Sequence, residues 1–168
     1  MSVPVWVPGQ VLSASDINRW FVVATAIKPG NTSRASTITV TGDPDLTLPV
    51  EASAVYELEM LCHMDGVSGA DLTIKFAVPA AATLIMINQA LIATPANSQA
   101  DACFAAVTAN AMVMGCLGAG ANSGCLLKGT LTTGVTAGSL TLQWAQNVSN
   151  ATPTILHAGS RMSLARIG

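Results

Sequence analysis

The stretch that decides the fold is residues 126–168, LLKGTLTTGVTAGSLTLQWAQNVSNATPTILHAGSRMSLARIG. Within it, Leu140, Leu142 and Trp144 alternate with polar or small residues, and this period of two predicts a half-buried β-strand. A glycine-containing turn precedes that strand, and an asparagine-containing loop follows it. The stretch therefore predicts three strands in succession, the last of them inserted into a sheet.

The residues upstream show the same alternation of apolar and polar residues in short runs. Residues 54–64 and 71–76 are the clearest predicted strands, and the glycine-containing segment 65–69 joins them as a hairpin-type connection. Together with the last three, about eight to ten short strands fit an all-β fold of two antiparallel sheets. We expect a jelly roll that spans residues 31–168.

Residues 1–30 follow a different pattern. Pro4 and Pro8 restrict themselves and the residues before them to extended conformations, so this segment begins without a helix. We interpret residues 1–30 as an N-terminal arm that precedes the jelly-roll domain.

A short α-helix is predicted within the arm. Ser13, with Asp16 three residues later, approximates a capping box at the start of a helix. The apolar residues that follow at helical spacing are Ile17, Trp20, Phe21 and Ala24. Pro29 and Gly30 then end the pattern.

Two roles are open for the arm: it packs on its own domain, or it docks on another protein. Two of the three tryptophans lie in this segment, and large aromatic side chains are frequent anchors at binding hot spots, which favours docking. The residues predicted to carry this attachment are Val5, Trp6, Val7, Ile17, Trp20 and Phe21.

The composition is unusual in its low charge. Hydrophobic residues make up 51% of the chain and charged residues only 10%, against about 25% in ordinary globular proteins. Either serine, threonine and amide side chains coat the surface, or much of the surface is buried against further copies or another partner; we favour the second. The net charge of −2 and the scattered basic residues argue against nucleic acid as a partner.

No segment of the sequence is typical of a membrane span or a secretory signal. The longest apolar run, 76–87, is shorter than the roughly 20 residues that cross a bilayer, and it contains Pro79. The first residues lack a basic region followed by an apolar core. We therefore expect no membrane partner and synthesis in a cytoplasm without export.

The four cysteines stand at wide, irregular spacings and form no Cys-x-x-Cys motif. With only two histidines in the chain, the sequence predicts no metal site and no cofactor. We expect buried free thiols, with disulfides as the alternative. The four cysteines are Cys62, Cys103, Cys116 and Cys125.

No catalytic motif is present, and we expect the protein not to be an enzyme. His63 and His157 each lie in or near a predicted strand, where a single histidine is more often structural than catalytic. Asp43, Asp45 and Asp71 suit turns and strand ends. A glycosidase would need two facing carboxylates in a cleft, and the pattern selects no such pair.

Two segments carry a resemblance to a known family. Residues 129–147, GTLTTGVTAGSLTLQWAQN, with the terminal SRMSLARIG at 160–168, resemble the C-terminal end of trimeric jelly-roll domains in virion proteins of tailed bacteriophages. Those domains are related in shape to the tumour-necrosis-factor fold. Residues 9–18, GQVLSASDIN, also resemble the N-terminal segment of many phage virion proteins.

This resemblance implies a non-enzymatic homotrimer that decorates the outer capsid surface of a phage and binds its major capsid protein. The residues that it places in the trimer interface are Trp144, Gln146, Met162 and Leu164. A minor tail or fibre protein, with a host-surface glycan as possible contact, is the alternative. A carbohydrate-reading lectin is a third possibility, against which the aromatic content of 4% counts.

Overall fold

A computed structural model describes residues 7–15, 17, 23–90 and 111–168, and the backbone alone of 101–103. Over these ranges the regular elements are β-strands arranged in two antiparallel sheets, which confirms the all-β prediction. The strands are β1 (Val23–Ile27), β2 (Thr32–Arg34), β3 (Thr41–Val50), β4 (Val55–Gly66), β5 (Leu72–Ala77), β6 (Thr83–Ala90), β7 (Asp101–Cys103), β8 (Met112–Met114), β9 (Gly118–Thr132), β10 (Gly138–Gln146), β11 (Thr154–Leu156) and β12 (Arg161–Arg166).

The larger sheet has the strand order β1-β12-β4-β9-β6-β7, with β11 paired to both β2 and β4. The smaller sheet has the order β3-β10-β5-β8. The longest ladder joins β4 to β9, with Val55 opposite Thr132 at one end and Met64 opposite Ser123 near the other. The finer expectation, a jelly-roll path like that of the tumour-necrosis-factor fold, stays a prediction.

The alternation of apolar and polar residues explains which face each strand buries. In β6 every second residue is buried, from Leu84 to Ala90, while Ile85 and Ile87 face outwards. In β10 the alternating Leu140, Leu142 and Trp144 are fully buried, as the sequence predicts.

One hydrophobic core lies between the two sheets. The larger sheet contributes Leu58 and Met60, and the smaller sheet contributes Ile74, Phe76 and Trp144, all of them buried. Burying one large apolar side chain stabilises a fold by roughly 1.5–3 kcal/mol.

The C-terminal part of the α-helix predicted in the arm is wrong, because Val23–Ile27 is strand β1 and pairs with β12. Val23, Thr25 and Ile27 are β-branched and face outwards, and such residues favour strands. Near the start of the predicted helix there is a single turn, in which the Ile17 N–H donates to the Ser13 carbonyl at 3.1 Å. Residues 16 and 18–22 lie outside the described residues.

Because β1 and Lys28 belong to the two-sheet domain, we use "arm" from here on for residues 1–22 only. The Lys28 N–H donates to the Ser160 carbonyl at 2.8 Å, and the Lys28 side chain is buried. The division of labour between an attachment arm and an assembling domain stays a prediction.

Candidate interaction surfaces

The outer face of the larger sheet is the first candidate surface. We define the "outer face" as the side chains of β1, β12, β4, β9 and β6 that point away from the core. They include Val23, Thr25, Ile27, Arg161, Ser163, Ala165, Val55, Glu57, Glu59, Leu61, Leu126, Lys128, Thr130, Ile85 and Ile87.

Exposed aliphatic side chains lie at both sides of this face. Ile85 and Ile87 on β6 are 56% and 50% exposed, and Val23 and Ile27 on β1 are 55% and 60% exposed. Single exposed aliphatics are ordinary, but grouped ones on one sheet face are typical of a contact surface.

The charges of the outer face lie between these aliphatic sides. Glu57 and Glu59 are on the central strand β4, Lys128 is on β9 and Arg161 is on β12. The Lys128 ammonium lies 3.8 Å from the Glu59 carboxylate, and both side chains are about half exposed. Such a surface pair contributes little to stability, because solvent screens it.

A polar cavity of about 410 Å³ is the second candidate site. It lies where β4 approaches its end and β11 joins the larger sheet. Its described lining residues are Asn31, His63, Asn122, His157 and Ala158. The His157 N–H donates to the His63 carbonyl at 2.8 Å, so backbone pairing holds the two histidines together.

Two hydrogen bonds fix the orientation of side chains in this cavity. His157 Nε2 lies 3.0 Å from the carboxylate of Asp65, which is buried. The Ala158 N–H donates to Asn31 Oδ1 at 2.9 Å. Both partners keep a further polar atom outside these bonds, Nδ1 of His157 and Nδ2 of Asn31. Across the described residues, no three His, Cys, Asp or Glu side chains group as metal ligands.

An ionic cluster lies inside the domain. Lys28 Nζ donates to both carboxylate oxygens of Asp43, at 3.1 and 3.0 Å, and to Asp45 at 2.8 Å. Trp144 Nε1–H donates to Asp43 at 2.9 Å. Desolvation raises the pKa of Asp43, but hydrogen bonds from Trp144, Lys28 and a backbone N–H outweigh it, so the pKa is lowered on balance.

Arg34 closes this cluster from the outside. Its guanidinium carbon lies 4.1 Å from the centroid of the Trp144 ring, and it donates to the carbonyls of Thr41 and Gly42 at 2.9 Å each and to that of Trp144. Arg34 thus joins β2, β3 and β10. Every group in the cluster is used within the fold, so we assign it a structural role.

Three cysteines, Cys62, Cys116 and Cys125, are free and buried, which confirms that prediction for them. The side chain of Cys103 lies outside the described residues. Cys62 lies opposite Cys125 across the β4–β9 ladder. Hydrogen bonding to Cys125 and burial raise the pKa of Cys62, and burial raises that of Cys116 to about 12. The thiols of Cys62 and Cys116 therefore stay protonated and unreactive.

The four side chains predicted at the trimer interface are buried within one protomer. Trp144, Gln146 and Met162 have no exposed surface, and Leu164 is 2% exposed. Because strand alternation points them into the domain, they cannot contact a second copy in this fold, and the prediction is corrected. The outward residues of β12 are Arg161, Ser163 and Ala165.

The predicted attachment residues fall into two groups. Val7 and Ile17 are described and exposed, as is Val11, which the sequence prediction did not include. Val5, Trp6, Trp20 and Phe21 lie outside the described residues. Their role in attachment stays a prediction.

The sequence prediction missed both the cavity and the ionic cluster. Asp43 was expected in a turn, yet it lies in β3 and is buried. The sequence offers no signal for the cluster, because a buried lysine requires a carboxylate partner but nothing in the local pattern marks Lys28 as buried. The residues that line the cavity come from four separate parts of the chain, so no local sequence pattern predicts the cavity.

Comparison with solved structures finds distant similarities to viral structural proteins. The tripod from the baseplate of bacteriophage Tuc2009 has a TM-score of 0.38 and 13% identity, over 99% of this chain and 75% of that chain. The VP2 protein of infectious bursal disease virus has a TM-score of 0.25 and 11% identity, over 99% of this chain and 43% of that chain. Similarity at this level does not assign a function to this chain. Neither the protein-family models nor the curated proteins give a match.

No helix among the described residues is long and apolar enough to cross a membrane.

Proposed function

We propose that this chain is a non-enzymatic structural protein of a phage virion, a decoration protein that binds the outer capsid surface as a homotrimer and stabilises the shell. Its partners are further copies of itself and the major capsid protein, without nucleic acid, membrane or cofactor. It is made in the host cytoplasm and ends on the outside of the virion.

The observation that carries the proposal is the outer face of the larger sheet. It exposes aliphatic side chains at two sides of a centre that carries both signs of charge, in a chain with only 10% charged residues. A surface of this kind is typical of protein contacts. Burying this face in an assembly would remove its exposed apolar side chains from contact with water, which is favourable.

A second copy is the occupant that the charges of this face favour. The outer face carries both signs of charge, with Glu57 and Glu59 on β4, Lys128 on β9 and Arg161 on β12, so different parts of the face in two copies can attract one another. A contact that joins two different parts of the face is heterologous. Such heterologous contacts are the type that a closed threefold ring requires.

The arm is the part of the chain that we assign to the capsid. Val7, Val11 and Ile17 expose apolar side chains among its described residues, and the sequence adds Trp6 and Trp20 as aromatic anchors. Three arms on one trimer raise the overall affinity through avidity, without any new contact per arm.

The assignment as non-enzymatic is supported by the surroundings of the histidines. The hydroxyl of Ser160 accepts from the His63 backbone N–H at 3.0 Å and donates to the His63 carbonyl at 3.3 Å, so it is engaged with the backbone. The His157 imidazole is paired with Asp65. Neither arrangement presents a nucleophile to a histidine base.

A minor tail or fibre protein is the second candidate. The polar cavity favours it, because a solvent-facing site with oriented side chains suits contact with a ligand outside the particle. The small size of the chain favours decoration over a fibre.

Three-dimensional imaging of the intact virion tests the proposal. We expect density for three copies at local threefold positions on the outer capsid surface. Density on the tail or baseplate, with none on the capsid, would contradict decoration and support the second candidate.

A further inference from the structure

We propose that the polar cavity binds a neutral, hydroxyl-rich ligand, a sugar unit of a surface polysaccharide. This inference goes beyond the proposed structural role and does not depend on where the protein sits on the virion. The cavity volume of about 410 Å³ falls within the range of roughly 300–1,000 Å³ that small-molecule sites occupy.

The lining residues have the hydrogen-bonding chemistry that hydroxyl groups require. The amides of Asn31 and Asn122 and the imidazoles of His63 and His157 offer both donors and acceptors. A sugar hydroxyl also donates and accepts, so each can form paired bonds with such side chains. The Ala158 methyl group adds a small apolar contact for the ring carbons.

The charge around the cavity indicates a neutral ligand. No lysine or arginine is among its described lining residues, so a phosphate or carboxylate would find no permanent counter-charge. The nearby carboxylate, Asp65, is buried and bonded to His157 Nε2. It orients the imidazole and leaves Nδ1 as the atom that can bond a ligand.

The cavity wall is held in place by the turn after β11. Gly159 has a φ of 83°, which glycine adopts without strain, and its N–H donates to the Lys28 carbonyl at 2.9 Å. Ser160 bonds the backbone of His63 on the opposite side of the turn. Because these contacts fix the backbone of the wall and Asp65 fixes the His157 imidazole, that part of the site loses little conformational entropy when a ligand binds.

We expect weak binding at each site. No tryptophan, tyrosine or phenylalanine is among the described lining residues, so the large stacking platform that strengthens many sugar sites is not part of this wall. A dissociation constant in the millimolar range follows, and many copies on one particle would multiply the effect by avidity.

Saturation-transfer NMR on the full-length protein tests this inference, because it detects weak ligands on large assemblies. The probes are D-glucose, D-galactose and N-acetyl-D-glucosamine at about 1–50 mM, with inorganic phosphate followed separately by phosphorus NMR line width. We expect a saturable signal from at least one sugar and no broadening of phosphate.

Two variants and a control assign the signal to the cavity. Asn122→Ala and His63→Ala change exposed side chains and should each weaken binding by about fivefold or more, because each removes a hydrogen-bonding partner. Gln143→Ala removes an amide from β10 in the smaller sheet and should leave the signal unchanged. A flat titration with every sugar, a signal that both variants retain, or binding of phosphate instead would overturn the inference. Imaging of the virion is a separate measurement, so failure of this inference and failure of the proposed function can be told apart.

Discussion

At the scale of single residues, Asp43 is a buried carboxylate held by several hydrogen bonds. It accepts hydrogen bonds from Lys28, 15 residues away, and from Trp144, 101 residues away. The local sequence around Asp43 is typical of a turn, whereas its partners Lys28 and Trp144 lie elsewhere in the chain. This is why the sequence could not reveal the cluster, although it correctly placed Trp144 on a buried strand face.

Replacing Asp43 with asparagine should therefore destabilise the fold strongly. The change keeps the shape but leaves the Lys28 ammonium buried without its main counter-charge, since Asp45 alone remains. We expect the free energy of unfolding to fall by about 3–5 kcal/mol, as measured by urea denaturation.

The control is Val135→Ala, which shortens an exposed side chain between β9 and β10, outside the outer face, and should change the free energy of unfolding by less than about 0.5 kcal/mol. Equal stability of the Asp43→Asn and Val135→Ala variants would show that the buried cluster does not stabilise the fold.

At the scale of elements, β9 depends on one close contact with β6. Gly129 lies opposite Leu58 of β4 on one side and Met86 of β6 on the other. A Cβ atom at this position would lie 2.5 Å from the Ile85 carbonyl oxygen and 2.7 Å from the Met86 Cβ. The strands could not keep their present separation around such a side chain.

Gly129→Ala should accordingly lower the free energy of unfolding by about 1–3 kcal/mol through overpacking. Gly42→Ala is the matched control in β3, because its added Cβ meets only the Thr141 methyl group at an ordinary 3.5 Å. We expect that variant to unfold within about 1 kcal/mol of the wild type in the same denaturation series. If Gly129→Ala had a free energy of unfolding as close to the wild type as that of its control, the close contact between β6 and β9 would be contradicted.

The element scale also shows where the sequence pattern succeeds and where it fails. Alternation predicts β4, β5 and β10, because one face of each is buried and the other is not. The pattern fails at β1. The spacing of Ile17, Trp20 and Ala24 fits a helix, and the alternation within Val23–Ile27 fits a strand equally well. Pairing with β12 decides between the two, and that pairing is not visible in the local sequence.

Two truncations distinguish the strand from the predicted helix. Deleting residues 1–22 keeps β1, so we expect a folded protein with an unchanged Tm that no longer binds particles. Deleting residues 1–28 also removes β1 and Lys28, which exposes the edge of β12 and leaves Asp43 without its cation. That protein should lose at least several degrees of Tm or fail to fold. Equal Tm values for both truncations would contradict the place of β1 in the domain.

At the scale of the whole molecule, the low charge of the chain and the outer face of the larger sheet have one explanation. The buried apolar residues pack in the core between the sheets. They include Trp144, Met162 and Leu164, which the resemblance placed at the trimer interface. The proposed ring of three copies would cover the aliphatic side chains left exposed on β6 and β1, since obligate interfaces bury upwards of about 2,000 Å².

Analytical ultracentrifugation tests this self-association most directly. We predict that the wild type sediments as a trimer of the 17.1 kDa chain at micromolar concentration. The double change Ile85→Lys with Ile87→Lys should give monomers, because it would bury two ammonium groups without partners. Ile38→Lys, an equally exposed position between β2 and β3, should remain trimeric. A wild-type monomer, or a double variant that stays trimeric, would contradict the account.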